Sequence, residues 1–345
     1  MRRPKLRRPN LRRPSSTDNS LNRREILQGL SAGCLASGLG AELGATSASA
    51  QEKYPGRPVD FIAPSGPGSG VDQLARFFSP LLEQEMKTPF PVLNVTGAVG
   101  AVAMAKLLAG RADGYTIGLY VSSMNALVSS GRASWKLADL APIVRLEKIP
   151  SFLFVKMDSP FKTFDELSAA VKAKPGQLKA AILGKGSLDD VTLTYMATKG
   201  FKTTIVPFAQ PGERYSSILG DHADILYEQA GDVHQFLDSK KIRPILAFNE
   251  TRLVEFPDVP CSREKGYEIF LPEFRGVIAK AGTPEPIIRI LSDAFGNIYK
   301  TPTLKQFAKQ QLLASDSYQP AADFKKFLVG ETESLAKLLK EYNIN

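Results

Sequence analysis

Val59–Asp72 reads VDFIAPSGPGSGVD, an apolar run that breaks at Pro64 into a loop carrying Gly66, Gly68 and Gly70. Directly after it, Leu74–Met86 (LARFFSPLLEQEM) spaces its apolar residues as one face of a helix. A strand that delivers a glycine-rich loop to a helix start leaves backbone N–H groups free where negative charge can sit. The stretch predicts an anion-binding loop.

The arrangement returns further along. Lys179–Leu183 predicts a strand, Gly184-Lys185-Gly186-Ser187 a second loop, and Leu188–Lys199 a second helix. Strands are also predicted at Pro91–Val95, Thr116–Val121, Phe152–Val155, Thr204–Pro207, Ala223–Tyr227, Arg243–Phe248 and Gly276–Ala279. Helices are predicted at Gly97–Gly110, at Thr163–Ala173 (with Glu166 three residues after a Thr163 cap), at Pro286–Tyr299 and at Phe324–Tyr342. Strands alternating with helices imply parallel βαβ units, hence an α/β fold. At 345 residues without a flexible linker, the chain predicts two lobes joined by crossing strands. Phe152–Val155 and Phe274–Ala279 are the candidate crossings.

Residues 1–50 stand apart. A basic stretch to Arg24, a weakly apolar segment Ile26–Ala45 and Ala48-Ser49-Ala50 make the three parts of an export signal, with Arg23-Arg24 resembling a twin-arginine leader. The alternatives are a membrane anchor, which Glu42 and the short apolar length disfavour, and lipidation at Cys34. The leader holds nine Lys/Arg and three Asp/Glu, so six of the nine net positive charges belong to it and +3 remains. Such a balance gives no ground for nucleic-acid binding. Beyond the leader Cys261 is the single cysteine, which rules out an intrachain disulfide there.

Catalytic and cofactor motifs are thin. Neither glycine loop has dinucleotide or P-loop spacing, since Lys179 stands where the first P-loop glycine belongs. His222 and His234 make no zinc pattern, no G-x-S-x-G elbow occurs, and Cys261 after Val259-Pro260 reads as a packed thiol. The residues call for no cofactor, no metal and no catalytic group. Two loops aiming amides into a shared cleft suit a protein that holds a carboxylate without transforming it.

An ordered series carries a family resemblance. It runs from Tyr54-Pro55 and Arg57-Pro58 through Pro67-Gly68 to Asp72, Ala75-Arg76, Asn94, Gly97-Ala98, Gly100 and Asp113-Gly114-Tyr115-Thr116. It continues with Pro175-Gly176, Gly184, Gly186-Ser187, Val206-Pro207-Phe208, Gly220, Asp224, Pro257-Asp258-Val259-Pro260, Gly266 and Ala281-Gly282-Thr283-Pro284. In this order and spacing the chain resembles the periplasmic solute-binding receptors of tripartite tricarboxylate transporters, the Bug receptors. The resemblance implies a two-lobed periplasmic solute-binding fold of type II-like architecture with the ligand cleft between lobes. It divides the chain into an export signal (1–50), a first lobe (51–151 and 274–345, with the C-terminal helices) and a second lobe (152–273).

It further implies a monomer that captures a small carboxylate (an organic acid, amino acid or aromatic acid) and passes it to membrane transporter subunits. A periplasmic sensor presenting its closed form to a signalling partner, and a periplasmic enzyme, are the other readings. The implied grip comprises Ser65, Gly66, Gly68, Ser69, Gly70 and Asp72 in the first loop, with Gly184, Gly186, Ser187 and Asp190 in the second. Phe208, Tyr227, Glu228, Phe274 and Arg275 complete the expected site. Some of these depart from the family pattern. Asp190, beside Asp189, stands where His is common, Tyr227-Glu228 replaces Phe-Asp or Phe-Asn, Phe274-Arg275 replaces a pair with Trp, and Lys280 replaces a proline. Extra acid in a desolvated cleft repels a polycarboxylate. The expected ligand therefore has one gripped carboxylate and a polar or cationic far end, or is an aromatic acid packed on Phe208, Tyr227 and Phe274. If Asp190 and Glu228 instead face solvent, that selection falls away.

Overall fold

The computed structural model describes residues 54–344, which lie in one compact unit, Glu52–Asn345. The leader reading, Cys34 included, lies outside the described residues.

In chain order the elements are β1 (Asp60–Ala63), α1 (Gly70–Met86), β2 (Val92–Asn94), α2 (Ala101–Ala109), β3 (Thr116–Val121), α3 (Ser122–Ser129) and β4 (Leu140–Ile149). Then come β5 (Ser151–Lys156), α4 (Phe164–Ala173), β6 (Lys179–Ile182), α5 (Leu188–Thr198), β7 (Thr204–Pro207), α6 (Pro211–Leu219), β8 (Ile225–Gln229), α7 (His234–Asp238) and β9 (Ile242–Ala247). The chain ends with β10 (Glu273–Lys280), α8 (Glu285–Tyr299), α9 (Pro302–Gln311), β11 (Gln319–Pro320) and α10 (Ala321–Glu341).

Among the described residues two sheets form. The first has order β11-β4-β10-β3-β1-β2, and the second β7-β6-β8-β5-β9. The βαβ units come out parallel: β1 with β2 and β3, and β6 with β7 and β8. β10 is antiparallel to β3 and β4, and β5 is antiparallel to β8 and β9, so both sheets are mixed. Neither strand expected to cross does so. β5 stays in the five-stranded sheet and β10 in the six-stranded one; the chain changes sheets at Pro150, between β4 and β5, and returns between β9 and β10.

Helices cover both faces of the six-stranded sheet. Leu74, Phe78 and Leu82 of α1 pack with Leu291 and Phe295 of α8 over Phe61 and Ile117. On the other face Met104 of α2, Met124 of α3 and Phe324 of α10 cover Ile62, Tyr120 and Phe274. In the second sheet Leu167 of α4 and Met196 of α5 pack on Leu153 and Ile182, while Tyr215 and Ile218 of α6 pack on Phe154 and Leu226. α10 belongs to both layers. Its first turns join the core of the six-stranded sheet, whereas Leu335 and Leu339 lie in the core of the five-stranded one with Tyr195 and Leu153. The stretch 274–345 therefore packs on both lobes rather than on the first alone.

Candidate functional site

The two glycine loops fold as one device used twice. In the first, Gly68 takes φ +82°, a left-handed turn open to glycine, and Ser69 then caps α1 by accepting the Asp72 amide at 3.1 Å. Asp72 reaches back, and its Oδ2 accepts the Gly68 amide at 2.9 Å. In the second, Gly186 takes φ +84°, Ser187 caps α5 by accepting the Asp190 amide at 3.4 Å, and Asp190 Oδ2 accepts the Gly186 amide at 2.6 Å. Each loop is braced by its own acid. Asp72 is also held by Arg76 Nε at 2.9 Å and Asn94 Nδ2 at 2.8 Å. Burial would raise its carboxyl, but the bonds from Arg76, Gly68 and Asn94 hold it below the usual carboxylate range.

These loops meet over a cavity of about 90 Å³ between the sheets. Ser65, Ser69, Gly70 and Val71 line it from the first loop; Leu183, Leu188 and Asp189 line it from the second. Gly70 and Val71 open α1, where amides have no partner within the helix. The Leu188 amide donates to Ser123 Oγ of α3 at 3.1 Å, tying the second loop to the opposite layer. A third loop, Thr96–Gly100, also lines the cavity. Its Ala98 (φ +46°) and Val99 (φ +54°) are left-handed, and for a β-branched residue that is genuine backbone strain. Isolated glycines at Gly97 and Gly100 were the only sequence signal for this loop.

The floor is a buried charge network. On β10, Phe274 turns into the core against Phe324 and Phe327, and its neighbours Glu273 and Arg275 line the cavity. Arg275 Nη1 donates to Glu147 Oε2 and to Asp232 Oδ1, both at 3.0 Å, and Nη2 pairs with Asp232 Oδ2. Glu147 is its register partner on β4, whereas Asp232 follows β8, so this ion pair joins the two layers. Across the cavity Arg214 of α6 pairs with Glu228 of β8. The Ser122 hydroxyl donates to Glu273 Oε2.

Burial dominates the electrostatics. It pushes Glu273 up to about 8 and Glu147 to about 7, with Arg275 pulling both down. Glu228 and Asp189 are likewise raised by burial against the pull of Arg214. Burial alone would lower the two arginines, but Glu228 beside Arg214 and Asp232 beside Arg275 hold both above their ordinary value.

Of the residues expected from sequence, Ser65, Ser69, Gly70, Tyr227, Glu228 and Arg275 line the cavity. Glu228 is 4% exposed and does not face solvent. Gly66, Gly68, Gly184, Gly186, Ser187 and Asp72 shape the loops without lining the cavity, and the same holds for Asp190, which is turned onto its own loop. The acid that faces the cavity from the second loop is Asp189. Phe274 is fully buried in the core, and Phe208, half-buried against the core that holds Phe152 and Leu226, does not line the cavity. Reading by type alone missed Arg214, Asp232, Glu273 and Glu147, because a charged residue in a strand or loop carries no mark of burial. His234 bonds the Gly231 carbonyl outside the cavity, and Cys261 is buried elsewhere. Among the described residues no group of three or more His, Cys, Asp or Glu is arranged to hold a metal, and no helix is long and apolar enough to cross a membrane.

Residues 74–344 match the model of the tripartite tricarboxylate transporter family receptor. The chain belongs to this family. Among relatives, it is 29% identical over 250 residues to the protein BugT of Bordetella pertussis, covering 70% of this chain and 76% of BugT. Among solved structures it resembles a TctC solute-binding protein from Polaromonas at 26% identity and TM-score 0.61, covering 84% of this chain and 99% of that one. It shares the fold of MatC from Rhodopseudomonas palustris, solved with bound malate, at 21% identity and TM-score 0.75, covering 83% of this chain and all of that one. The receptor has the two-lobed solute-binding fold, and its family and these neighbours are binding proteins.

Proposed function

We propose that this receptor works outside the cytoplasm as a monomer, captures a small carboxylate in the cleft, and delivers it to the membrane subunits of a tripartite transporter. The observation that carries the reading is the matched pair of braced loops, Gly68-Ser69 and Gly186-Ser187, which bring the starts of α1 and α5 to one cavity. The free amides at the start of α1 and the positive ends of both helices suit a carboxylate held without any catalytic group. The malate bound by the MatC structure supports the ligand class.

A thermal-shift screen of the full chain against organic acids, amino acids and aromatic acids tests this, because a ligand that binds the folded form alone raises its melting temperature. A carboxylate hit supports the reading. No shift by any carboxylate, or turnover of the one that binds, overturns it. Loss of uptake in a deletion strain, with signalling intact, separates delivery to a transporter from a sensor role.

A further inference from the structure

We propose that the turn Gly231-Asp232 is a latch that holds the cleft closed by contacts between protein groups alone, so that the closed form is the majority state of the receptor before it meets a ligand. The inference concerns the balance between closed and open lobes and is independent of which solute the cleft takes.

The turn is rooted in one layer and inserted into the other. Ala230 and Val233, on either side of it, are buried in a core of the five-stranded sheet. Gly231 and Asp232 between them meet elements of the six-stranded one. Asp232 engages Arg275 of β10 through both carboxylate oxygens, a bidentate pair in which each residue is 2% exposed. The same carboxylate packs on Gly70, and the Asp232 carbonyl accepts Gln73 Nε2 of α1 at 3.4 Å. A Cβ on Gly231 would fall 2.3 Å from Gln311 Oε1 and 2.7 and 2.9 Å from the Gln311 Cα and carbonyl oxygen, so the turn abuts the end of α9. Next to it Leu312 packs on the core that holds Ala230 and Val233, and Gln310 Nε2 lies 3.1 Å from His234 Nε2.

The strand order sets this turn apart from the other contacts across the cleft. The chain crosses between sheets beside β4, β5 and β10; β8 neighbours β5, and β10 neighbours β4, so the Asp232–Arg275 pair lies close to the crossings. Farther out, past β6 and β7, the layers meet through less. The Leu188 amide reaches Ser123, the exposed Arg132 side chain lies over Gly186, and the exposed Gln210 side chain over Gly66. Those outer side chains swing away readily. Parting the inner turn separates two buried charges and undoes close backbone packing, which is costly. A ligand then adds to a closure the protein already favours.

Hydrogen exchange read by mass spectrometry on the full chain, dialysed exhaustively against carboxylate-free buffer, tests this at the Leu188 amide. That amide opens α5 and has no partner within the helix, so its bond to Ser123 across the cleft is what shields it. The expected result is protection of at least about tenfold, an open fraction of no more than about 10%. Asp232→Asn removes the charge at constant size, and Gly231→Ala drives a methyl into Gln311. Each should bring Leu188 close to the unprotected rate, while amides of β5 and β6, bonded within one sheet, keep their protection. Gly212→Ala, whose methyl would meet nothing within 4 Å, should change neither. An unprotected Leu188 in the wild type, unchanged protection in both latch variants, or loss of β5 and β6 protection to the same extent overturns the latch. The receptor reading stands under any of these results.

Discussion

Asp190 stands to the second loop as Asp72 stands to the first: each carboxylate accepts the amide of a left-handed glycine four residues before it, at 2.6 and 2.9 Å. Both therefore preshape a backbone cradle rather than touch what the cradle holds.

Removing either brace leaves a glycine amide without its partner. Asp72→Ala and Asp190→Ala should each cost roughly 1–3 kcal/mol in urea unfolding, and each should weaken carboxylate binding. Asp190→Asn keeps an acceptor oxygen and should stay close to wild type. Equal losses from Ala and Asn would mean that charge, not the hydrogen bond, is what the position supplies.

Gly70 and Gly66 should respond differently to the same added methyl. At Gly70 it meets the Asp232 carboxylate, which Arg275 pins in place, whereas at Gly66 it meets the movable end of Gln210. Gly70→Ala is expected to lose about tenfold or more in affinity and Gly66→Ala much less, read by titration with whichever carboxylate the screen identifies. Similar affinities for the two variants would show that the Asp232 contact does not constrain the loop.

Arg275 neutralises acids from both layers. Arg275→Met should destabilise the fold by about 3–5 kcal/mol, because it strands buried carboxylates. Adding Asp232→Asn should recover part of that loss, since Glu147 can take up a proton. Chemical denaturation of the single and double variants measures both, and a double variant no more stable than the single would sink the ion-pair account.

Stability should depend on pH through Glu273 and Glu147. Burial holds them at about 8 and about 7. Arg275 pulls both down and Asp232 pushes both up, while the Ser122 hydroxyl lowers Glu273 and Glu228 raises it further. In the unfolded chain both titrate near 4.5. The stability they contribute is complete below that value and is lost as pH rises through 7 to 8, where the folded protein must at last release its protons. Melting temperatures between about pH 5 and pH 9 should fall across that window, and Glu273→Gln should flatten the fall. A flat wild-type profile would count against protonated acids in the floor.

Much of the architecture was legible because it is local. The strand at Thr116–Val121, the Thr163 capping box and the helix after Ser69 all follow from spacing and caps, and the structure has them. β4 was not read as a strand: LAPIVRLEKI interrupts its apolar pattern with Pro142, Arg145 and Glu147, yet both charges are 1% exposed. α3 was missed for the same reason, since SSMNALVS buries Ser122, Ser123 and Asn125. Glycine turns showed in the sequence, and so the two loops were found. The charge network did not, because Arg275 meets Asp232 and Glu147 across 43 and 128 residues of chain.

α10 has a consequence for how the molecule comes apart. Phe324 and Leu328 are rooted in one core and Leu335 and Leu339 in the other, so melting either core frays the helix on which its neighbour depends. The halves are therefore expected to melt together, and calorimetry that resolved two separate transitions would contradict this. Opening of the cleft is then a flexing of one folded body along a common spine, not the parting of two self-sufficient domains.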